Sequence, residues 1–209
     1  MPRKFSEQQR EWVYQKLLSE GRRSFEIFGL KKTSVEELTK AAGIAQGTFY
    51  KFFNSKEELL FEIIQEDEKR IRDMLMESLS AEAATKEGIK RFLLQSFQLM
   101  EESPILRKMT LSGEMEQLTR KLPQEALERN YKEDKDSLMP LIKIWQSKGI
   151  MTGVSAELIV SLIRAVVLLT LHKEEIGSER FSSTMELLAE VLASGIVTAN
   201  IQRGGMGEA

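Results

Sequence analysis

The chain has 209 residues, of which 42% are hydrophobic, and it contains no cysteine. This length can bury a sizeable core and fits a small domain followed by a larger one better than a single domain. The lack of cysteine excludes disulfides, thiolate zinc sites and cysteine nucleophiles. No apolar run has membrane-spanning length and no signal peptide precedes the first predicted helix, so we expect a cytoplasmic protein.

The formal net charge of −2 is divided unevenly along the chain. Residues 1–60 contain 11 basic and 8 acidic side chains, a net charge of +3, whereas residues 61–209 contain 19 and 24, a net charge of −5. A weakly basic N-terminal region is typical of a protein that binds nucleic acid through a limited number of phosphate contacts.

Helical periodicity dominates the chain, without strand-like alternation or an internal repeat, so the expected fold class is all-α with about nine helices. The first helix is predicted over residues 6–28, with Gly29 as its stop. The side chains expected to be buried on it are Trp12, Val13, Leu17, Phe25 and Phe28.

Two short amphipathic helices follow. The first begins at Thr33 or Ser34, where a hydroxyl can cap it, and runs to about Ala42. Gly43 ends it because glycine adopts the left-handed conformation without a steric cost. The second starts near Ala45. Two short helices joined by a glycine turn form a helix-turn-helix, whose second helix can enter the major groove of DNA.

A long fourth helix is predicted from residue 54 or 55 toward Leu79, and Pro140 should kink a later one. The later helices are expected over residues 85–101, 104–111, 113–120, 123–148, 155–175 and 180–202. The domains predicted are a helix-turn-helix domain over residues 1–54, a larger helical effector-binding and dimerisation domain over residues 55–203, and a flexible tail over residues 204–209.

Residues 6–62 closely resemble the N-terminal domain of the TetR (tetracycline-repressor) family. The matching positions are Thr33, Ala42, Gly43, Ile44, Ala45, Gly47, Thr48, Tyr50, Phe53 and Lys56. The chain departs from the family at Ala45, where a capping serine is common, and at Phe52, where histidine or tyrosine is usual. Beyond residue 62 only the length and the helix pattern agree.

The resemblance implies a DNA-binding transcriptional regulator, a repressor, that binds a palindromic operator as a homodimer and is released by a small, mainly apolar effector. Hydroxyl and ammonium groups near helix N-termini suit phosphate oxygens, whereas outward side chains of the second short helix suit base edges. The expected phosphate contacts are Thr33, Tyr50 and Lys56, and the expected base contacts are Gln46, Thr48 and Lys51.

The last two helices carry a signal for self-association, because residues 155–175 are apolar nearly all round. The resemblance implies that these helices pair with their copies in a four-helix bundle at a two-fold axis. The expected interface residues are Leu162, Val166, Leu188, Leu192, Gly195 and Ile196. The alternative is that both helices are core helices of a monomer.

Bulky side chains on the body helices fit either core packing or an adaptable apolar pocket. The candidate effector-binding residues are Phe97, Met100, Met115, Leu118, Trp145 and Leu168. No cofactor, metal site or catalytic residue is expected, since His172 is the only histidine.

Three more polar positions have two possible roles each. His172 fits a capping or surface group better than a ligand contact. Arg164 fits a structural ion pair or a dimer contact better than a ligand anchor. Glu114 and Glu116 fit a solvated face better than a site for a cationic ligand.

Two rival functions remain open at this point. One is an all-helical enzyme or small-molecule carrier whose helix-turn-helix only packs. Such a motif has no need to present together the polar side chains expected on its surface, which are Gln46, Thr48, Tyr50, Lys51 and Lys56. The other is a DNA-binding activator without an effector. The expected partners are an operator in double-stranded DNA, a small-molecule effector and a second copy of the chain, with no membrane.

Overall fold

The computed structural model describes residues 5–78 and 85–198. This part of the chain contains no β-strand, and nine of its α-helices have seven or more residues, which confirms the predicted all-α fold. The helices are α1 (Glu7–Phe28), α2 (Val35–Ala42), α3 (Gln46–Phe49), α4 (Lys56–Ser78), α5 (Lys86–Glu102), α6 (Pro104–Leu111), α7 (Met115–Lys121), α8 (Gln124–Ser147), α9 (Ala156–Leu169), α10 (Lys173–Ile176) and α11 (Phe181–Thr198).

Some predictions fall on residues that are not described. They are the end of the fourth helix at Leu79, the last helix beyond residue 198 and the tail over residues 204–209. Within the described ranges, no helix is both long and apolar enough to cross a membrane.

The chain divides into two compact units. Unit 1 comprises the residues up to Arg70 together with Glu102–Leu127, and unit 2 comprises Ile71–Glu101 and the residues from Glu128 onward. Helices α6 and α7 therefore belong to the same unit as the helix-turn-helix. The predicted boundary after residue 54 separates a DNA-binding from an effector-binding function, and it stays a prediction.

In unit 1, helix α1 packs against α2 and α6. Its buried stripe contains Val13, Leu17 and Phe25, as predicted. The predicted burial of Trp12 and Phe28 is wrong, because these side chains are 58% and 55% exposed. Trp12 lies off the buried stripe, and Phe28 is the last residue of the helix, so hydrophobicity alone does not bring either ring inside.

In unit 2, the indole ring of Trp145 is 1% exposed and meets Phe92 edge to face, with ring centroids 6.2 Å apart. Helix α8 continues through Pro140 as one helix. The predicted surface position of His172 is confirmed, since its side chain is 60% exposed.

A charged cluster joins α4, α8 and α9 within unit 2. Arg164 forms an ion pair with Asp134 and donates to Asn130 Oδ1 at 2.8 Å, and Arg72 donates to Asp134 at 2.7 Å. Burial raises the pKa of Asp134 above its usual value, while the two guanidinium groups oppose that shift. The expected structural ion pair of Arg164 is therefore confirmed.

Candidate nucleic-acid interface

Helix α2 is fixed at both ends by residues that the sequence makes recognisable. The Ser34 hydroxyl accepts from the Glu37 N–H, and the Glu37 carboxylate accepts from the Ser34 N–H, a reciprocal capping box. Hydrogen bonds from Ser34 hold the pKa of Glu37 below its usual value. Gly43 ends the helix with φ 69° in the left-handed region. Ala45, at the start of α3, makes no side-chain cap, as its departure from the usual serine predicts.

The short α3 helix is anchored by aromatic rings on its inner side. Phe49 is fully buried and lies 5.9 Å from Phe53, measured between ring centroids. Phe53 in turn stacks on Tyr14 at 5.7 Å. Because this buried aromatic cluster anchors α3, the exposed side chains of α3 point in a fixed direction.

The residues predicted to contact bases lie on or just after α3. Gln46 and Lys51 are exposed, and Thr48 is half-buried. The Lys51 ammonium lies 5.1 Å from the centroid of the Phe5 ring, a cation–π distance. The structure thus places Gln46 and Lys51 on the surface, with Thr48 only partly accessible.

A groove of about 420 Å³ lies beside α3. Its lining includes all three predicted phosphate contacts, Thr33, Tyr50 and Lys56, of which Tyr50 is 52% exposed. Lys31 and Lys32 also line it and were missed, although a pair of lysines directly before Thr33 in the basic region is a usable signal. The full lining is Lys31, Lys32, Thr33, Ser34, Val35, Tyr50, Asn54, Ser55, Lys56 and Glu57.

Thr33 and Lys56 have roles in the loop that connects α1 and α2, here called the α1–α2 loop (Gly29–Thr33). Thr33 is 2% exposed and its hydroxyl donates to the Gly29 carbonyl at 2.7 Å, so this hydroxyl is used within the loop, and its contact with phosphate stays a prediction. The Lys56 ammonium donates to the carbonyls of Leu30 and Thr33, both at 2.7 Å. An ammonium has three protons, so one remains for a phosphate.

Glu114 corrects another expectation. Its side chain is not on a solvated face but 4% exposed, and its Oε2 and Oε1 accept from the backbone N–H groups of Leu30 and Lys31 at 2.7 and 3.1 Å. Glu116 does lie on the solvated face, with 73% of its side chain exposed. No local pattern marks the role of Glu114, because its hydrogen-bond partners are more than 80 positions away in the chain.

A second polar contact joins α7 to α4. Lys121 pairs with Glu57 at 2.8 Å, and the Glu57 side chain is 8% exposed. Burial by itself raises the pKa of Glu57, but hydrogen bonds from Lys121 and from its own backbone outweigh burial and lower it. Helix α7 is therefore held to the helix-turn-helix region at both of its ends.

The six candidate effector-binding residues have different environments. Phe97, Met100 and Trp145 are buried in unit 2, and Leu118 is buried in unit 1. Met115 is half-buried in unit 1. Leu168 is 44% exposed on the outside of unit 2 and does not belong to its interior.

The predicted dimer residues are also split by the structure. Val166 and Ile196 are buried within unit 2, at 4% and 6% exposure, so they serve its own core. Leu162, Leu188 and Leu192 are half-buried, and Gly195 is exposed.

The widest apolar exposure on these helices lies at other positions. The exposed large side chains are Leu158 (52%), Leu168 (44%) and Leu169 (38%) on α9, and Leu187 (65%), Val191 (57%) and Val197 (36%) on α11. A helix that is apolar nearly all round does not reveal which side faces outward, so the sequence pattern missed Leu187 and Val191.

Residues 17–63 match the sequence model described as bacterial regulatory proteins, tetR family. This range includes the α1–α2 loop, both helices of the helix-turn-helix and every residue that lines the groove. Residues 17–63 therefore belong to the N-terminal domain of the TetR family. Proteins of this family and the structural neighbours are transcriptional regulators, which confirms the expectation that the chain is not an enzyme.

Two curated proteins that resemble part of this chain are also named as regulators. The chain is 36% identical over 98 residues to the uncharacterized HTH-type transcriptional regulator YdgC of Bacillus subtilis, covering 44% of this chain and 50% of that protein. It is 28% identical over 72 residues to the fatty acid metabolism regulator protein of the same organism, covering 34% and 37%. The chain thus spans half or less of the length of these curated relatives.

Solved structures extend the likeness to the whole fold. A TetR-family transcriptional regulator from Pectobacterium atrosepticum superposes with a TM-score of 0.73 at 17% identity, covering 93% of this chain and 99% of that one. At this identity the similarity shows a shared fold.

Proposed function

We propose that this TetR-family chain is a sequence-specific, DNA-binding transcriptional regulator that represses genes from the cytoplasm. The observation that carries the proposal is the groove lined by Lys31, Lys32 and Lys56, which also includes Tyr50 at the end of α3, the helix on which Gln46 is exposed. Lysines in such a groove suit the phosphates that flank a major groove, and an exposed glutamine on the adjoining helix suits a base edge.

Different side chains position the protein on the DNA backbone and read the base sequence. Tyr50 and Lys56 contact phosphates, joined by Lys31 and Lys32, which supply charge without sequence information. Gln46 reads a base through its amide, and adenine is the base that a bidentate glutamine suits best. Thr48 and Lys51 complete the reading surface.

The active form is a homodimer that binds a palindromic operator. Support comes from the outer faces of α9 and α11, where Leu158, Leu187 and Val191 are each more than half exposed. An apolar face of this kind on a water-soluble domain is typical of an interaction surface. A two-fold dimer presents two α3 helices to half-sites about one turn of DNA, roughly 34 Å, apart.

Release from the operator requires an effector that favours the non-binding form of the dimer. A tenfold loss of operator affinity needs only about 1.4 kcal/mol of differential binding. Buried apolar side chains such as Phe97, Met100 and Trp145 are suited to a mainly apolar molecule. Because one relative is a fatty acid metabolism regulator, fatty-acyl compounds are the first class to test.

Recovery of genomic DNA fragments bound by the purified protein tests the proposal. Enrichment of fragments that share an inverted repeat is the expected result, and the Gln46→Ala variant should enrich a less restricted set. Fragments without any common sequence would contradict sequence-specific binding. Addition of fatty-acyl compounds to the bound fragments then tests release separately.

A further inference from the structure

The backbone of the α1–α2 loop is hydrogen-bonded by charged side chains on its N–H side and on its carbonyl side. On one side, the Glu114 carboxylate accepts the N–H groups of Leu30 and Lys31. On the other, the Lys56 ammonium donates to the carbonyls of Leu30 and Thr33. A carboxylate and an ammonium thus hold the N–H and the carbonyl of the peptide group between Leu30 and Lys31. Lys56 is the first residue of α4, and Glu114 directly precedes α7.

The fit around Glu114 is close. Gly29 has φ 78°, and a Cβ built on it would lie 2.8 Å from Glu114 Oε2, so a side chain there would displace the carboxylate. Both oxygens of this nearly buried carboxylate are used by backbone donors, and no buried side-chain polar atom in the described part of the chain lacks a hydrogen-bond partner. Loss of such an acceptor leaves backbone donors without a partner, which is unfavourable in a buried place.

The loop also carries two of the lysines that line the groove. Lys31 receives its backbone restraint from Glu114 itself, and Lys32 is the next residue. We propose that Glu114 is a positioning residue for DNA binding, which holds the α1–α2 loop so that Lys31 and Lys32 face the phosphates. This inference rests on the proposed function, and it assigns to the α6–α7 segment a part in operator affinity.

The direction in which Glu114→Gln changes DNA affinity distinguishes positioning of the loop from simple charge repulsion. A carboxylate close to a phosphate-binding groove repels DNA, so charge alone predicts that Glu114→Gln binds DNA more tightly. Positioning predicts the reverse. A glutamine retains only one acceptor oxygen, and its NH₂ group then faces a backbone N–H, which loosens the loop.

The experiment measures binding of Glu114→Gln to an operator fragment recovered with the wild-type protein, alongside hydrogen exchange of the loop amides. We expect affinity to fall about tenfold, the order of one charge-assisted hydrogen bond, with unchanged base preference and faster exchange at Leu30 and Lys31. The matched control is Glu116→Gln, which removes the same charge two residues further along the chain at an exposed position and should change neither quantity.

Each other outcome decides against the inference. Equal or tighter DNA binding by a folded Glu114→Gln protein overturns it and leaves the proposed function intact, as does unchanged protection of the loop amides. Failure of the wild-type protein to bind any DNA overturns both. If Glu114→Gln does not fold, Glu114→Asp keeps the charge on a shorter arm, and wild-type affinity together with faster loop exchange in that variant overturns the inference.

Discussion

Two regions of the molecule differ in how they are suited to contact a partner. One is the α1–α2 loop in unit 1, and the other is the outer faces of α9 and α11 in unit 2. The loop is held by charged groups that the chain itself supplies, Glu114 and Lys56. The two helices instead leave Leu187 and Val191 more than half exposed to water. A loop that must place lysines against phosphates needs defined directions, which hydrogen bonds provide. A surface that must join another needs apolar area, which is non-directional.

The largest expected effect on operator affinity comes from a charge placed on the exposed apolar face of α11. Val191→Arg places a charge in the proposed seam, and its desolvation costs several kcal/mol unless the seam opens. We expect monomers in sedimentation experiments and a loss of operator affinity of about a hundredfold, because the two half-sites are no longer bound together.

The control for that variant is Glu186→Arg. It changes charge on the same helix at an exposed position without removing apolar area. A folded Val191→Arg protein that remains a dimer would place the interface elsewhere.

Lys56→Ala removes one of the two charged groups that hold the α1–α2 loop. The variant loses a phosphate contact and both bonds to the loop carbonyls, so operator affinity should fall by about 2 kcal/mol, roughly thirtyfold, on every sequence alike. The slope of log affinity against log salt should flatten by about one phosphate's share. A titration over a salt series measures both, and a changed base preference would show that Lys56 reads sequence.

Gln46→Ala sharpens the distinction between positioning and reading within unit 1. Loss of one base contact should cost about 1–3 kcal/mol of discrimination at one or two operator positions. The salt slope should stay as in the wild-type protein, because no phosphate contact is lost. Competition among single-base operator variants measures the discrimination, and an unaltered preference would mean that another side chain reads that base.

The smallest expected effect tests a surface ion pair in unit 2. Glu190 pairs with Lys86 and with Lys90, the latter at 2.8 Å, and these hydrogen bonds lower its pKa from 4.5 to about 2. A lowered pKa means that the contribution to stability is present above the unfolded value and is lost as pH falls toward about 2.

Glu190→Gln should therefore lower the Tm slightly near neutral pH, and the difference should vanish at the acid end of this window. High salt should reduce it as well, because both partners are solvated. A difference in Tm that persists at pH 2 would assign the effect of Glu190 to packing instead of charge.

The helices and their ends could be predicted because their determinants are local. Ser34 and Glu37 are three residues apart, and Gly43 acts on the residues directly before it, so a short window of sequence contains the whole interaction. The same holds for the surface placement of Tyr50, because it is the neighbour of buried Phe49 and adjacent positions of a helix point in different directions.

The remaining features depend on partners that are distant in sequence. The role of Glu114 is set by Leu30 and Lys31, and nothing near residue 114 predicts them. For α11, Val191 and Ile196 are equally apolar, and only the packing of unit 2 decides that the first is exposed and the second buried. The Thr33 hydroxyl has a local partner, the Gly29 carbonyl four residues earlier, but the sequence does not show that the side chain is buried and therefore needs this acceptor.

The discontinuous path of the chain through unit 1 limits how modular its DNA-binding end can be. A graft of residues 1–54 onto a foreign body would leave Glu114 behind, and the N–H groups of Leu30 and Lys31 would meet whatever the new host places there. A chimaera that keeps its operator affinity must therefore take residues 102–127 from the same parent, so that two separate stretches of the gene are exchanged together.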